Sequence, residues 1–315
     1  MKKVQTIALM ILVLAIVLMG CGGGASGGGA SGGNAPSKEE APAAAKIIQF
    51  GRMTFSPHEG YMSANQGEEV IVSNDGSMEL RSKSITYWIT EDECIGYRYW
   101  KDADDSAQEE LAGAEEKEIN GDTTYSIVKN DGGTEVYAST LIDGDTYTIR
   151  HYRKAGVGEG EVLEDILSKV AFVDDLKLDI ELDVDVPGIS FDINALNLRE
   201  RRDISQSETE GGDLRFKYIS FFNKEEDDVY MTLDLIQFGI RGNKTIEESV
   251  GGGEIEEVEL NGVNYVAEVE MGKGKPYSYY AQRGDDVYFF HCIDAAFDSG
   301  VEEEFAKFME SVSFE

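Results

Sequence analysis

The chain has 315 residues, of which 41% are apolar and 10% aromatic, a composition that builds packed cores and excludes a disordered protein. The formal net charge of −33 excludes nucleic-acid binding, which depends on Lys and Arg at phosphates, and excludes adsorption to anionic lipid through a basic face. The length accommodates about two domains of roughly 150 residues each.

Residues 1–20 are predicted to be a secretion signal. Two lysines supply the positive start, and the apolar run Ile7–Met19 is short for a membrane span, which needs about 20 residues. The run ends in Leu18-Met19-Gly20-Cys21, which resembles the lipobox of bacterial surface lipoproteins of the Gram-positive type. The resemblance implies cleavage before Cys21, acylation of this cysteine by palmitate-like chains, and anchoring to the outer face of the cell membrane. An ordinary signal peptide followed by an unrelated cysteine is the alternative.

Residues 21–46 are nearly all Gly, Ala, Ser and Pro, a composition that cannot bury enough apolar surface to fold. We expect a disordered tether of about 25–30 Å from end to end. Gly24–Gly28 matches the Gly-x-Ser-x-Gly pattern of serine hydrolases, but that chemistry needs a strained strand-to-helix turn. A low-complexity tether does not supply such a turn, so the match predicts no activity.

The first predicted repeat covers residues 47–178. Met53–Tyr61 reads as a strand that ends in a Pro/Gly turn, and Ile95–Trp100 as a strand buried on both faces because aromatic residues occur on both. Ser106–Ala114 is predicted to be a short helix. Val162–Val170 carries its apolar residues on one helical face, which predicts a closing helix that packs on the sheet.

A second copy of this order is predicted over residues 179–315. Asn120-Gly121 recurs as Asn261-Gly262, an offset of 141 residues (261 − 120), and similar offsets relate the later turns and strands. The second copy is expected to contain a short helix starting at Thr245–Val250 and a closing helix at Val301–Met309. We therefore predict a duplicated unit.

An acidic segment joins the two repeats. Asp179, Glu181, Asp183 and Asp185 alternate with apolar residues, and this period of two predicts a strand with one wet face and one buried face. Carboxylates in such a row could bind calcium through oxygen. The calcium-loop pattern is absent, however, and a straight strand spreads its ligands at roughly 7 Å steps instead of making them converge.

The Phe-x-Pro-x-x-Gly-Tyr pattern of Phe55–Tyr61 and the tail Ser311–Phe314 resemble the PsbP/Mog1-like domains of small bacterial extracytoplasmic lipoproteins. The resemblance implies an antiparallel sheet packed with helices and a role in binding or assembly. The expected fold class is α+β: two tandem repeats, each an antiparallel β-sheet packed with one short helix and one C-terminal amphipathic helix.

No catalytic constellation is indicated around the three histidines, His58, His151 and His291. A hydrolytic triad needs a nucleophile, a histidine and an acid within reach of one another, and no spacing nominates one. His151 and His291 are predicted to occupy matching strand positions in the two repeats, which favours a structural role over a metal pair. We expect no catalytic residue, no cofactor and no metal ligand.

Cys94 and Cys292 do not match between the repeats, so no disulfide is expected within either one; two buried thiols are favoured over a bridge between repeats. Arg283-Gly284-Asp285 is predicted to be a hairpin tip that the fold requires, with adhesion as the alternative. Several aromatic residues could stack on sugars, although a place in the core is the commoner fate. They are Tyr97, Tyr99, Trp100, Tyr277, Tyr279 and Tyr280.

The leading hypothesis is a non-catalytic, membrane-anchored extracytoplasmic lipoprotein that acts as a binding or assembly module. Its expected partners are the membrane, through the lipid on Cys21, and an unidentified protein or envelope component, with no nucleic acid. One alternative is an envelope-directed hydrolase with a carboxylate site at the cleft between the repeats. Another is a calcium-dependent structural surface protein that uses the acidic segment Asp179–Asp185.

Overall fold

One antiparallel sheet of fourteen strands dominates the fold. The computed structural model describes residues 47–73, 75–102, 114–119, 123–130, 135–154, 159–196, 201–222, 235–250, 254–269, 276–293 and 300–315. These described residues belong to one compact unit. The predicted signal, the tether and Cys21 lie outside them, as does the predicted helix Ser106–Ala114 apart from its last residue.

The first half contributes nine strands and one helix. They are β1 (Ile48–Phe55), β2 (Ser63–Val72), β3 (Met78–Thr90), β4 (Glu93–Trp100), β5 (Glu115–Ile119), β6 (Thr123–Asn130), β7 (Glu135–Ile142), β8 (Asp145–Arg153), α1 (Glu159–Ser168) and β9 (Ala171–Lys177). The second half contributes β10 (Ile189–Ser190), a 3-10 turn (Ile193–Ala195), β11 (Arg201–Thr209), β12 (Leu214–Phe222), β13 (Leu235–Arg241), β14 (Glu254–Leu260), β15 (Val263–Val269), β16 (Pro276–Arg283), β17 (Asp286–Ile293), α2 (Val301–Ser311) and β18 (Ser313–Phe314).

The strand order is the same from either edge of the sheet to its centre. It runs β5-β6-β7-β8-β4-β3-β2 from one edge and β14-β15-β16-β17-β13-β12-β11 from the other, and β2 pairs with β11 in the middle. Outside the large sheet, β1 pairs with β9, and β10 pairs with β18 in the same way. The order of elements in the first half thus recurs in the second. The boundary between the two predicted repeats at residue 178 stays a prediction.

The expected α+β class is wrong. The described residues are mostly strand, with two α-helices, and the halves share one large sheet instead of each forming its own. The closing helices do form, as α1 and α2. Each helix packs on its half of the sheet through the apolar side chains that the sequence places on one helical face.

The short helix expected at Thr245–Val250 is a single turn. The backbone N–H of Thr245 donates to Glu248 Oε2 (2.9 Å), and the N–H of Glu248 donates to Thr245 Oγ1 (3.3 Å), which is the capping box that opens a helix. Three glycines follow directly in the sequence, and glycine is a poor helix former, so local signals favour starting the helix but not extending it.

One face of the sheet carries the two main cores. In the first half, Met53, Tyr99, Tyr147 and Leu167 are fully buried between the sheet, the β1–β9 ribbon and α1. In the second half, Phe308 of α2 is fully buried among aromatic rings of the sheet and of the β10–β18 side. Its ring centroid lies 4.7 Å from that of Phe238 and 6.2 Å from that of Phe290.

The acidic joining segment is extended but is not a strand. β9 ends at Lys177, and residues 178–186 pair with no strand of the described chain, although their side chains alternate between inward and exposed as the sequence predicted. This crossing segment lies over the centre of the sheet, where Leu178 and Ile180 pack on the first core and Leu182 and Val184 on the second. A period of two therefore identified an extended conformation, and its interpretation as a paired strand was wrong.

Ion pairs with the buried side chains of Lys83 and Lys217, and hydrogen bonds to Glu68, hold the crossing segment to the central strands. The Glu68 carboxylate accepts hydrogen bonds from the backbone N–H groups of Glu181 (3.0 Å) and Leu182 (2.8 Å) and pairs with Lys83 Nζ at 2.8 Å. Lys83 also pairs with Glu181 (2.9 Å), and Lys217 of β12 pairs with Asp183. Burial alone would raise the pKa of Glu181, but hydrogen bonds from lysines lower it below its ordinary value.

Both outer edges of the sheet are acidic. β5 has the sequence Glu-Glu-Lys-Glu-Ile, and β14 has Glu-Ile-Glu-Glu-Val-Glu-Leu. Charged side chains on an exposed edge oppose pairing with another strand. The hairpin that leads inward from β14 turns at Asn261-Gly262, whose φ angles of 53° and 76° are the positive values that favour this dipeptide in two-residue turns.

Candidate functional site

The face of the sheet opposite the helices carries both tryptophans of the chain. Side chains alternate along a strand, and the buried Tyr87 and Tyr97 belong to the helix-side core, so Trp88 on β3 and Trp100 on β4 project from the opposite face. Both are partly exposed. The expectation that Ile95–Trp100 is buried on both faces is therefore wrong, because Arg98 on this face is exposed as well.

Small residues and Arg98, which pairs with Ser84, lie between the two tryptophans. Thr86 pairs with Gly96 across β3 and β4, and Gly67 of β2 pairs with Ser84. Asn65, Gly67, Ser84, Thr86 and Gly96 form a low floor that we call the Trp88–Trp100 trough.

Two glycines keep this floor low. A Cβ atom at Gly67 would lie 3.1 Å from Ser84 Oγ, and one at Gly96 would lie 3.1 Å from Thr86 Oγ1. Both distances are shorter than ordinary van der Waals contact. A larger side chain at either position would therefore push its neighbour aside and raise the floor.

Arginines flank the trough. The guanidinium carbon of Arg98 lies 4.2 Å from the ring centroid of Trp100, and that of Arg81 lies 5.4 Å from it, both within cation–π distance. Arg81 pairs with Glu69 at 3.3 Å, and Arg150 pairs with Glu135. These contacts fix the arginines beside an aromatic surface that water reaches.

The corresponding face of the second half is covered. Tyr280, Val287 and Phe289 are buried there, and Ile246 and Val250 from the turn after β13 pack on them. Tyr280 shows the effect of this burial, since desolvation is the largest cause of its raised pKa. The face opposite the helices thus presents an accessible aromatic surface on β3 and β4 in one half and a closed cluster on β16 and β17 in the other.

A polar cluster lies beside this closed surface. Ser278 Oγ is hydrogen-bonded to His291 Nδ1, and Tyr280 donates to the buried carboxylate of Glu268 at 2.8 Å. No sequence spacing indicated this set; cross-strand register creates it, because Glu268 pairs with Ser278, and Ser278 with His291. Its residue types are those of a hydrolytic triad.

The geometry of that cluster does not favour catalysis. Ser278 is 1% exposed, and the Glu268 carboxylate accepts from a tyrosine hydroxyl. Burial is the main cause that lowers the pKa of His291 to about 4. The charge of Glu268 raises this pKa, and the charge of Arg241 lowers it by a smaller amount. A histidine with this pKa is a weak base, since efficient general bases have pKa values near the working pH.

The two strand histidines do not occupy matching positions. Asp145 and Asp286 open β8 and β17 after equivalent turns, an offset of 141 (286 − 145), so His291 matches Arg150, and His151 matches Cys292. His151 lies on the helix side, where it contacts Glu93 at 3.1 Å, whereas His291 lies on the opposite face. The predicted equivalence is wrong by one residue, which in a strand reverses the face.

The cysteines are two separate buried thiols, as favoured from the sequence. Burial raises the pKa of the Cys94 thiol to about 11, which keeps it protonated.

The remaining predicted candidates are divided between core and surface. Tyr97 and Tyr99 are core residues and Tyr280 is buried, while Trp100, Tyr277 and Tyr279 are partly exposed. The turn Arg283-Gly284-Asp285 joins β16 to β17 at the predicted hairpin tip.

The midline of the sheet carries the carboxylates expected for a cleft between the repeats. Glu68 and Glu181 pair with Lys83, and Asp183 with Lys217.

Between the crossing segment and the ends of β2 and β11 lies a hollow of about 340 Å³, lined mainly by apolar side chains such as Val70, Leu182 and Ile204. Within the described residues, no group of three His, Cys, Asp or Glu side chains is arranged to hold a metal ion.

Comparison with known proteins adds no family assignment. No protein-family model matches the chain, and no curated protein matches it significantly. None of the helices in the described ranges is long and apolar enough to cross a membrane.

Proposed function

We propose that this chain is a lipid-anchored extracytoplasmic protein that binds an envelope component, without catalysis, through the Trp88–Trp100 trough. The observation that carries the proposal is the placement of both tryptophans, partly exposed, on one face of the first half. Most of the other large aromatic side chains are buried in the cores. Surfaces that bind partners are enriched in Trp, Tyr and Arg, and these residues dominate binding energies.

Chemistry at the other candidate sites supports binding over hydrolysis. Glu68 at the midline is held by two backbone N–H groups and Lys83, so its carboxylate is committed to the crossing segment. The Ser278–His291 pair is buried, and its histidine has a low pKa. The calcium alternative is less favoured because Lys83 and Lys217 occupy the carboxylates of Glu181 and Asp183.

The lipid anchor rests on the lipobox at Leu18–Cys21. Its test is metabolic labelling of growing cells with an alkyne palmitate analogue. The wild-type chain should take up the label and fractionate with membranes, and Cys21→Ser should do neither. Labelling of the serine variant, or an unlabelled wild-type chain, would remove the anchor from the proposal.

The binding role is tested by chemical crosslinking in intact cells. Wild type is compared with the double variant Trp88→Ala/Trp100→Ala and with the control Leu141→Ala. Leu141 is 54% exposed on the same face, and its pairing partner Thr146 lies between it and Trp100. An envelope component that crosslinks to wild type and control but not to the double variant supports the proposal. Identical crosslinking patterns for all three chains would refute it.

A further inference from the structure

We infer that the Trp88–Trp100 trough binds a neutral, linear glycan of pyranose rings laid along β3 and β4. This inference rests on the proposed binding role and specifies its ligand class. Four features favour this ligand: the spacing of the tryptophans, the hydrogen-bonding groups of the floor, the charge around the trough and the complete strand pairing of the backbone beneath it.

The spacing requires an extended ligand. Trp100 pairs with Ser82, which lies six residues before Trp88 on β3 (88 − 82). At the usual rise of a strand, the two tryptophans are therefore separated by roughly 20 Å. A ligand that contacts both must be a chain of several rings and not a single small molecule.

The surface chemistry matches both faces of a sugar ring. The C–H face of a pyranose is apolar and packs on a flat aromatic surface such as an indole. Its hydroxyl groups need hydrogen-bonding partners in place of water, and Asn65, Ser84 and Thr86 supply an amide and two hydroxyls that both donate and accept. On the far side of β2, Ser205 of β11 continues the polar surface, and the buried Ser207 donates a hydrogen bond to Asn65 Oδ1 (2.6 Å), which orients that amide.

The charge distribution favours a neutral chain. Two of the arginines beside the trough are paired within the protein, Arg81 with Glu69 and Arg150 with Glu135. The whole chain carries a formal charge of −33, which repels polyanions at long range. The third, Arg98, is exposed and stacks on Trp100. The trough thus carries one exposed guanidinium on a strongly acidic protein, a poor site for an acidic polymer.

A polypeptide fits the trough less well than a glycan. Extended peptides usually bind a sheet at an exposed edge, where free main-chain groups complete the ladder. β3 pairs with β2 on one side and β4 on the other, and β4 also pairs with β8. The backbone N–H and C=O groups under the trough are therefore already paired between strands and cannot pair with an extended peptide. A glycan requires only side-chain contacts.

Intrinsic fluorescence offers a direct measurement, since the chain contains two tryptophans and both flank the trough. The purified full-length protein is titrated with cellohexaose, N-acetylchitohexaose and maltohexaose, and tryptophan emission and protection from acrylamide quenching are recorded. At least one neutral hexasaccharide should change the emission saturably and protect both indoles. Its disaccharide should bind about tenfold more weakly, because it reaches one tryptophan only. Hyaluronan hexasaccharide, the acidic probe, should not bind.

Variants separate the trough from general adhesion. Trp88→Ala and Trp100→Ala, followed by calorimetry, should each weaken hexasaccharide binding by about tenfold or more. Ser84→Leu keeps both tryptophans but raises the floor beside Gly67, and should abolish protection of the indoles. Leu141→Ala should bind as wild type. Circular dichroism verifies that each variant folds.

Three results would overturn the glycan inference: no response to any neutral hexasaccharide, tighter binding of the acidic probe, or binding by Ser84→Leu equal to that of wild type. If trough variants also lose crosslinking to a protein in cells, the binding role stands and its ligand is that protein. If hexasaccharides bind but crosslinking in cells is unchanged, the glycan site stands and the proposed envelope role fails.

Discussion

The two halves of the sheet share a strand order but differ on the face opposite the helices. In the first half this face presents Trp88, Trp100 and Arg98 to solvent. In the second half the turn after β13 places Ile246 and Val250 over Tyr280 and Phe289. Two halves with the same strand order can thus differ in whether this face is accessible or covered, and the difference arises from face residues and loops, not from topology.

The largest expected effect tests whether the helix side is equivalent in the two halves. Phe308→Ala in α2 should lower the free energy of unfolding by about 3–5 kcal/mol, and Leu167→Ala in α1 by about 2–5 kcal/mol, because both side chains are fully buried. Urea denaturation followed by circular dichroism measures both. A loss below about 1 kcal/mol at either site would show that this helix is not part of the core.

A second prediction tests whether the halves unfold together. Glu68→Ala removes the acceptor of the Glu181 and Leu182 N–H groups and leaves the buried Lys83 without this partner, which should cost about 3–5 kcal/mol. Asp92→Ala is the control, since its ion pair with Lys154 is exposed and contributes little. Unfolding of the Glu68 variant in one transition is expected; two separated transitions would mean that the halves are independent bodies.

A third prediction concerns the covered half. Folding lowers the pKa of His291 from 6.5 to about 4, so between these values the unfolded chain binds more protons than the folded one. Stability is therefore retained above about pH 6.5 and falls as the pH drops towards 4, by about 1–3 kcal/mol.

The measurement is urea denaturation at a series of pH values for wild type, His291→Gln and Ser278→Ala. His291→Gln should flatten the profile in this window, whereas Ser278→Ala should retain its slope. An unchanged slope in the glutamine variant would show that other groups cause the acid sensitivity.

The smallest effect is expected on the accessible half. Arg98→Ala removes the cation–π contact with Trp100 and should cost about 0.5–1 kcal/mol, the usual value at exposed sites. Tryptophan emission during denaturation reports this directly. Arg98→Lys should recover part of the loss. A cost above about 2 kcal/mol would mean that the arginine is structural and that this surface is less accessible than we describe.

The sequence predicted those features that local patterns encode. The turn at Asn261-Gly262 and the two closing helices follow from turn chemistry and apolar periodicity, while Asn120-Gly121 lies outside the described residues. The joining of both halves into one sheet through β2 and β11 could not be predicted, because residues such as Val70 and Arg202 pair across more than a hundred positions of sequence. No local signal specifies such a partner.

Two errors have the same physical origin. The period of two predicts a strand for the crossing segment because any extended segment with one buried side shows this period, whether or not its backbone is paired. His151 and His291 were matched by an offset of 140, but strand register requires 141, and one residue changes the face. The trough is not predictable from the sequence for a related reason: its floor is assembled from three strands, and only the register brings Gly67, Ser84 and Gly96 side by side.

The pairing of β2 with β11 has a consequence for assembly. Two separate copies of a half would have to meet by diffusion, and the fraction joined would fall on dilution. Within one chain the partner strand is always present at a high effective concentration, which the connecting residues set. Pairing of the two halves is therefore independent of protein concentration, and every sheet contains one half with the accessible face and one half with the covered face.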